Sequence, residues 1–441
     1  MSPQAGVPLT IFAILVGASQ PAAAENLLQI YEQAVARDPV VSQARAQLSA
    51  SRENLPIARS VLLPSVDANA QISRHRLELS GLGGLGTAGD TTWYTGRGYS
   101  VTLSQPLFNG RSWPALRAAR AQIRASEASL ITAQQDLILR TTNAYFGVLN
   151  AIREERIAQS ELERLQALQQ QAEAFLKAGT GEIIALREAQ ARVAGARAAL
   201  INAQSQHRIA NQTLQRLTGK PAGTIADLGN FEPQGPEPAT VGPWIESAEA
   251  SQPLLKTARE HLLAAREQVD VIARERWPNL SLDGGYAYSK GGFTGSINST
   301  DAFLGLQLRV PLYEGGQIAA RARQARAQAE ASRFGLQDLS DNVRLSTETA
   351  FLQLQDSAAR LHALREQVQS ARTSLEATRK GREIGTRTNI DVLNAVQILA
   401  SAERQLNDAQ YGHILARVRL KQAAGVLSEA DIHSLNAMLA P

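Results

Sequence analysis

The chain has 441 residues, of which 44% are hydrophobic and 20% charged, the composition of a chain that folds. Its 45 Lys and Arg against 41 Asp and Glu leave a net charge of +4, too little over this length for a nucleic-acid footprint. It has no cysteine, which excludes disulfide frameworks, thiolate metal sites, cysteine nucleophiles and a lipidated N-terminal cysteine. The histidines show no HExxH-like pairing, so nothing points to a zinc enzyme or to any cofactor.

The chain opens on an uncharged apolar stretch over residues 7–17, followed by Ala22-Ala23-Ala24. A membrane-spanning helix needs about 20 apolar residues. The shorter stretch with small residues after it predicts a secretory signal peptide over 1–24, although its first six residues carry no Lys or Arg. No later segment is apolar enough to span a membrane as a helix.

The rest of the chain reads as one unit written twice. Asp38-Pro39-Val40 aligns with Gln252-Pro253-Leu254, and Leu63-Pro64 with Trp277-Pro278. Pro106-Leu107-Phe108-Asn109-Gly110 aligns with Pro311-Leu312-Tyr313-Glu314-Gly315, and Gly179-Thr180 with Gly385-Thr386. The spacing is constant apart from one shift, which a shorter loop in the second copy explains. The predicted layout is a first repeat over 25–219, a Pro-rich linker over 220–243, a second repeat over 244–425 and a tail over 426–441.

Each repeat begins with a short helix, about 40–62 and 254–276, stopped by Pro64 or Pro278. Two stretches of alternating residues follow. Val66, Ala68, Ala70 and Ile72 alternate with Asp67, Asn69 and Gln71, and Leu304, Leu306, Leu308 and Val310 with Gly305, Gln307 and Arg309. This period of two over about ten residues fits a transmembrane β-strand. Residues 64–113 and 277–313 also hold 11 of the chain's 21 aromatics, as expected where strands cross two membrane interfaces.

A long helix comes next in each repeat. Leu116, Ile123, Leu130, Leu137, Ala144, Ala151, Ala158, Leu165 and Ala172 recur every seven residues, and a matching series runs from Ala322 to Thr378. The strict repeat implies supercoiled packing over about 100 Å. Gly179 and Gly385 end these helices, and a returning helix follows each. Four strands cannot close a barrel, and an open edge in lipid would strand unpaired backbone groups. The expected fold is therefore an α+β membrane protein that oligomerises: four strands per chain completing a shared β-barrel, continued by an α-helical tube.

This layout resembles the TolC family of outer-membrane channel proteins. The segment Gly385-Thr386-Arg387-Thr388-Asn389-Ile390-Asp391-Val392-Leu393 is similar to that family's second hairpin tip. The resemblance implies a homotrimer with a twelve-stranded barrel in the outer membrane lipid and a tunnel across the periplasm. It also implies a periplasmic adaptor and an inner-membrane ABC or proton-driven transporter as partners, in efflux or type I secretion. At the tunnel constriction it places Asp391 and, where the family has a second aspartate, Asn394. For the gate latch it supplies Arg387, but Ile184, Ala185 and Arg382 stand where the family has its Asp, Thr and Tyr. Glu182 is the best replacement partner, ahead of Glu383 and Glu188. Gly179, Thr180, Gly385 and Thr386 form the tips expected to dock the adaptor. The alternatives are a periplasmic coiled-coil adaptor or structural protein, and an exported enzyme, for which no catalytic arrangement is present.

Other motifs weaken in context. Gly81-Leu82-Gly83-Gly84-Leu85-Gly86 fits GxGxxG but leads into a strand, so it reads as a loop outside the barrel. Leu217-Thr218-Gly219-Lys220 reads as a helix C-cap, and the arginines at 321–326 as a solvated helix face.

Overall fold

A computed structural model of the protein describes residues 24–78, 91–221, 223–229, 231–291 and 298–439. The signal peptide expected over 1–24 and the glycine loop at 81–86 lie outside this range, apart from Ala24.

Among the described residues the elements run α1 (Leu27–Arg37), α2 (Pro39–Ser60), β1 (Ser65–Glu78), β2 (Thr91–Asn109), α3 (Ser112–Lys177), α4 (Ile183–Thr218), α5 (Val241–Ser251), α6 (Pro253–Ala273), β3 (Asn279–Lys290), β4 (Asn298–Arg309), α7 (Gln317–Glu383), α8 (Asn389–Ala423) and α9 (Glu429–Asn436). The long helices α3 and α7 are 66 and 67 residues, about 100 Å each. No helix among the described residues is long and apolar enough to cross a membrane. The strands are longer than the alternating patterns suggest, at 14, 19, 12 and 12 residues. Backbone pairing carries β1 and β2 beyond the apolar stretch into residues the pattern does not mark.

The four strands form one antiparallel sheet in the order β1-β2-β3-β4. Its register sorts the residues cleanly. Val66, Leu103, Gly284 and Leu304 lie on one row, and Ala68, Val101, Tyr286 and Ala302 on another of the same face. The rows between carry Asp67, Thr102, Gly285 and Phe303, then Asn69, Ser100, Ala287 and Asp301, on the opposite face. One face is therefore apolar and the other mostly polar. Leu304, Leu306 and Leu308 are 64–72% exposed, so the apolar face is uncovered in the single chain. β1 and β4 are both unpaired edges.

At the base of the sheet the chain turns sharply into helix. The β2–β3 register slips between Pro106 and Phe108. A Cβ on Gly110 would come within 2.8 Å of the Trp277 ring, so glycine lets the turn pass close to the indole. Trp277 in turn stacks on Phe108, with centroids 6.5 Å apart.

The heptad series lie where helices meet. Seven of the nine α3 residues are buried and the other two half-buried; on α7 five of nine are buried and none is exposed. Many are alanines, so the backbones approach closely and the seam is tight without large side chains. A wider core surrounds the middle of the helical body, where α1, α9 and residues 225–231 wrap α3 and α8. There Tyr145 is fully buried, and its hydroxyl donates to the carbonyl of Ala226 at 2.9 Å. The segment expected as a tail includes α9, whose Ile432 and Leu435 are buried in this core.

Candidate functional site: hairpin tips and tunnel lining

Farthest from the sheet, two helical hairpins end in turns built alike. After α3, the amides of Thr180 and Gly181 both donate to the Phe175 carbonyl at 3.0 Å. After α7, the amides of Thr386 and Arg387 donate to the Gly381 carbonyl at 2.8 and 3.2 Å. Gly179 and Gly385 have φ of 76° and 80°, the left-handed conformation that ends a helix with least strain in glycine. The hydroxyls of Thr180 and Thr386 fold back onto those same carbonyls, at 3.3 and 2.9 Å. Both threonines therefore serve their own turns. The tips present apolar Ile183, Ile184 and Ile384, 50–77% exposed, among the exposed charges of Glu182, Glu383 and Arg387.

Asp391 is the third residue of α8 and half of a capping box. Its carboxylate accepts from the amide and hydroxyl of Thr388 at 2.8 and 2.9 Å, while the Thr388 hydroxyl accepts from the Asp391 amide. The amide of Thr388, then its hydroxyl, hold the carboxyl below the usual aspartate range, with Arg387 adding a smaller pull. In the trimer that the resemblance implies, facing Asp391 carboxylates would raise one another's proton affinity; within the chain the local bonds act in the opposite direction.

Asn394 does not stand free. Its Oδ1 accepts from Arg192 of α4 at 3.1 Å, and Arg192 also donates to Gln397. Sequence reasoning missed Arg192, because nothing local marks an arginine on one helix as facing an amide on another. Arg387 and Glu182 form no ion pair within the chain. Arg387 is held through its backbone, and Glu182 is the N-cap of α4 with no side-chain capping bond. Arg382 turns away from the gate positions, donating to Gln171 at 2.5 Å with its guanidinium over the Phe175 ring.

Higher in the helical body lies a polar network that the sequence did not reveal. Arg404 of α8 pairs with Glu161, and with Glu154 at 3.8 Å. Asn407, nearly fully buried, donates to Asn150 and to Glu154 at 3.2 Å. Burial pushes the Glu154 carboxyl up, and Asp408 adds to this; Asn407 and Arg404 pull the other way. The network borders a cavity of about 430 Å³ between α3, α4 and α8. Among the described residues no cluster of His, Asp or Glu is placed to hold a metal ion.

Comparison with known proteins matches this architecture. The family model described as outer membrane efflux protein matches residues 30–220 and 244–426. The chain is 30% identical to the outer membrane protein TolC of Vibrio cholerae serotype O1 over 441 residues, covering 98% of each chain. It is 31% identical to the alkaline protease secretion protein AprF of Pseudomonas aeruginosa, over 95% of this chain and 88% of that one. Its fold is similar to the crystal structure of the Campylobacter jejuni CmeC outer membrane channel, with a TM-score of 0.81 at 18% identity over 100% of this chain and 98% of that one. An open amphipathic sheet carried on two long helical hairpins is one chain's share of such a channel. The chain belongs to the outer membrane efflux protein family, the channels of the Gram-negative outer membrane.

Proposed function

We propose that three copies of this chain assemble into a passive conduit through which an inner-membrane pump exports its substrates. The observation that carries this reading is the sheet. It has one apolar face and two open edges, β1 and β4, of 14 and 12 residues. In lipid each unpaired backbone group costs several kcal/mol. Joining β1 of one chain to β4 of the next satisfies both edges, and three chains give twelve strands. In this reading residues 1–24 are removed on export. Residues 25–219 and 244–425 are the two repeats joined by 220–243, and 426–441 follow, with α9 packed into the helical core.

The tips are assigned to docking. Exposed Ile183, Ile184 and Ile384 around Gly179-Thr180 and Gly385-Thr386 offer an apolar surface to the hairpin of a periplasmic adaptor. The adaptor connects the conduit to an inner-membrane ABC or proton-driven transporter. Asp391 is assigned to the tunnel constriction, where its ionised carboxylate attracts cations. Asn394, engaged by Arg192, lines the next turn without charge. The latch is assigned to Arg387 of one protomer with Glu182 of another. The conduit performs no chemistry. Export of a protease, as the name of the Pseudomonas aeruginosa relative states for that protein, fits the same tube as efflux of small molecules.

Membrane fractionation tests the reading. The protein is expected in the outer membrane, extracted only by detergent, as a trimer. Recovery as a soluble periplasmic monomer would contradict it.

A further inference from the structure

The apolar face of the sheet ends in a cluster of cations at the end away from the helices. Tyr99 and Tyr288 face each other on that surface, with ring centroids 5.2 Å apart. Two residues further along each strand, roughly 7 Å, Arg97 stands directly opposite Lys290. Like charges directly opposite across a sheet repel. Arg74 and Arg76 continue the same face of β1, Arg74 with its guanidinium 5.2 Å from the Trp93 ring centroid. All four cations are exposed. Among the described residues the one carboxylate beside them is Glu78, 3.7 Å from Arg76, and Arg74, Arg97 and Lys290 have no ion-pair partner.

Position determines what could neutralise them. The helices leave from the opposite, periplasmic end, so this end reaches the outer leaflet. From the Leu280–Leu308 row to the Tyr288–Thr300 row the apolar face runs about 26 Å along the strand. That is about 20 Å of height at the usual tilt, to which Trp277 and Phe108 at the base add their breadth. The cations thus sit where acyl chains end and headgroups begin. On the polar face the corresponding rows carry Ser73, His75, Gly96 and Tyr94, so the excess positive charge belongs to the outward side.

The geometry points to a binding site for the phosphate groups of lipid A, the phosphorylated glycolipid of the outer leaflet. Arg97, Lys290 and Arg74 take the phosphates, while the acyl chains lie along Tyr99, Tyr286 and Leu304. Charge-assisted bonds from arginine suit phosphate oxygens, and the lipid removes the repulsion between Arg97 and Lys290. The inference rests on the apolar face being turned to lipid.

The test uses detergent-extracted trimers incubated with bisphosphorylated lipid A, with dephosphorylated lipid A and with phosphatidylglycerol, reading lipid retained per trimer on native gels and by mass. A cation near an anionic lipid surface is worth roughly fivefold in affinity. Arg74→Gln, Arg97→Gln and Lys290→Gln combined should lower retention of bisphosphorylated lipid A at least tenfold while trimers persist. Arg74→Lys with Arg97→Lys should retain it, and wild-type protein should hold the dephosphorylated form and phosphatidylglycerol far less. Unchanged retention in the triple variant, or equal retention of phosphatidylglycerol, overturns the site. Leu306→Cys carrying an environment-sensitive dye separates this from the membrane reading. An apolar signal with unchanged lipid A retention overturns the site alone, whereas an aqueous signal in a native bilayer overturns the orientation of the sheet.

Discussion

Arg140 of α3 closes a two-pronged ion pair on Asp38, with Nη1 to Oδ2 at 2.7 Å and Nη2 to Oδ1 at 3.1 Å. Asp38 is 2% exposed and also caps α2, its Oδ1 accepting from the Val41 amide at 2.9 Å. One carboxylate thus starts the helix that leads to the barrel and fastens it to the long helix beside it. Burial alone would raise the carboxyl; the bonds from Arg140 and Val41 outweigh it and hold the carboxyl below its usual range.

Arg140→Ala should therefore destabilise the protein by about 3 kcal/mol, because it leaves a buried charge unpaired. The pH dependence follows from the depressed value. Stability from this pair is complete above the ordinary aspartate value of 3.8 and is lost as pH falls through the lower folded value. Thermal melts of wild type and variant should converge in strong acid. A constant difference down to the lowest pH would show that Asp38 is not the group responsible.

Arg404→Ala should weaken the seam between α3 and α8 by leaving buried Glu161 and half-buried Glu154 without the cation they share. Glu154 is already raised by burial, so removing Arg404 raises it further. A raised carboxyl costs stability above its folded value, and that cost disappears as pH falls through it. The variant should regain stability relative to wild type on acidification. The trend has the same sign as in Arg140→Ala but a higher window, since Glu154 is raised above 4.5 while Asp38 is held below 3.8, and melts of the two variants across one pH series separate the two windows.

Thr388→Val should shift the titration of Asp391 upward, since two of the bonds that stabilise its carboxylate come from Thr388. The amide bond remains, so the shift is partial. If Asp391 lines the constriction, the pH at which cation selectivity falls by half rises in Thr388→Val. In Asp391→Asn the selectivity is reduced at all pH. Single-channel recording reads both. Unchanged selectivity in Asp391→Asn would confine Asp391 to its capping role.

Glu182→Ala and Arg387→Ala should each raise the conductance of the closed channel if the two residues pair across protomers, and the double variant should add little more. Exposed pairs are worth only about 0–1 kcal/mol, so the expected increase is at most several-fold. Additive effects would show two independent contributions instead of a latch.

Periodicity made the architecture legible. A period of two in Val66–Ile72 and a period of seven from Leu116 to Ala172 each describe one element meeting one environment, which the sequence states directly. The helix α9 and the waist around Tyr145 were not visible. Their segments are short, and their burial comes from α1, α3 and residues 225–231, far away along the chain. At the tips, turn chemistry, which is local, identified Gly179 and Gly385, and the family resemblance singled out the run through Asp391. Sequence could not show that Thr388 engages Asp391 so fully, that Arg192 reaches Asn394, or that Arg404 gathers Glu154 and Glu161. The first is foreshadowed by the capping-box spacing of Thr388 and Asp391; the other two join residues on different helices, and no spacing encodes them. The row formed by Arg97 and Lys290 likewise becomes visible only once the strand register is known.

The central claim is that this four-stranded sheet is a third of a closed barrel. Because the chain has no cysteine, pairs can be introduced cleanly. Gln307→Cys on the polar face of β4, combined in turn with Asp67→Cys, Asn69→Cys and Gln71→Cys on β1, scans the register across the proposed seam. Oxidation in the membrane should yield, for at least one pair, covalent species that stop at three chains. Ladders that run past three, covalent dimers as the end point, or no cross-link at any register would contradict the account.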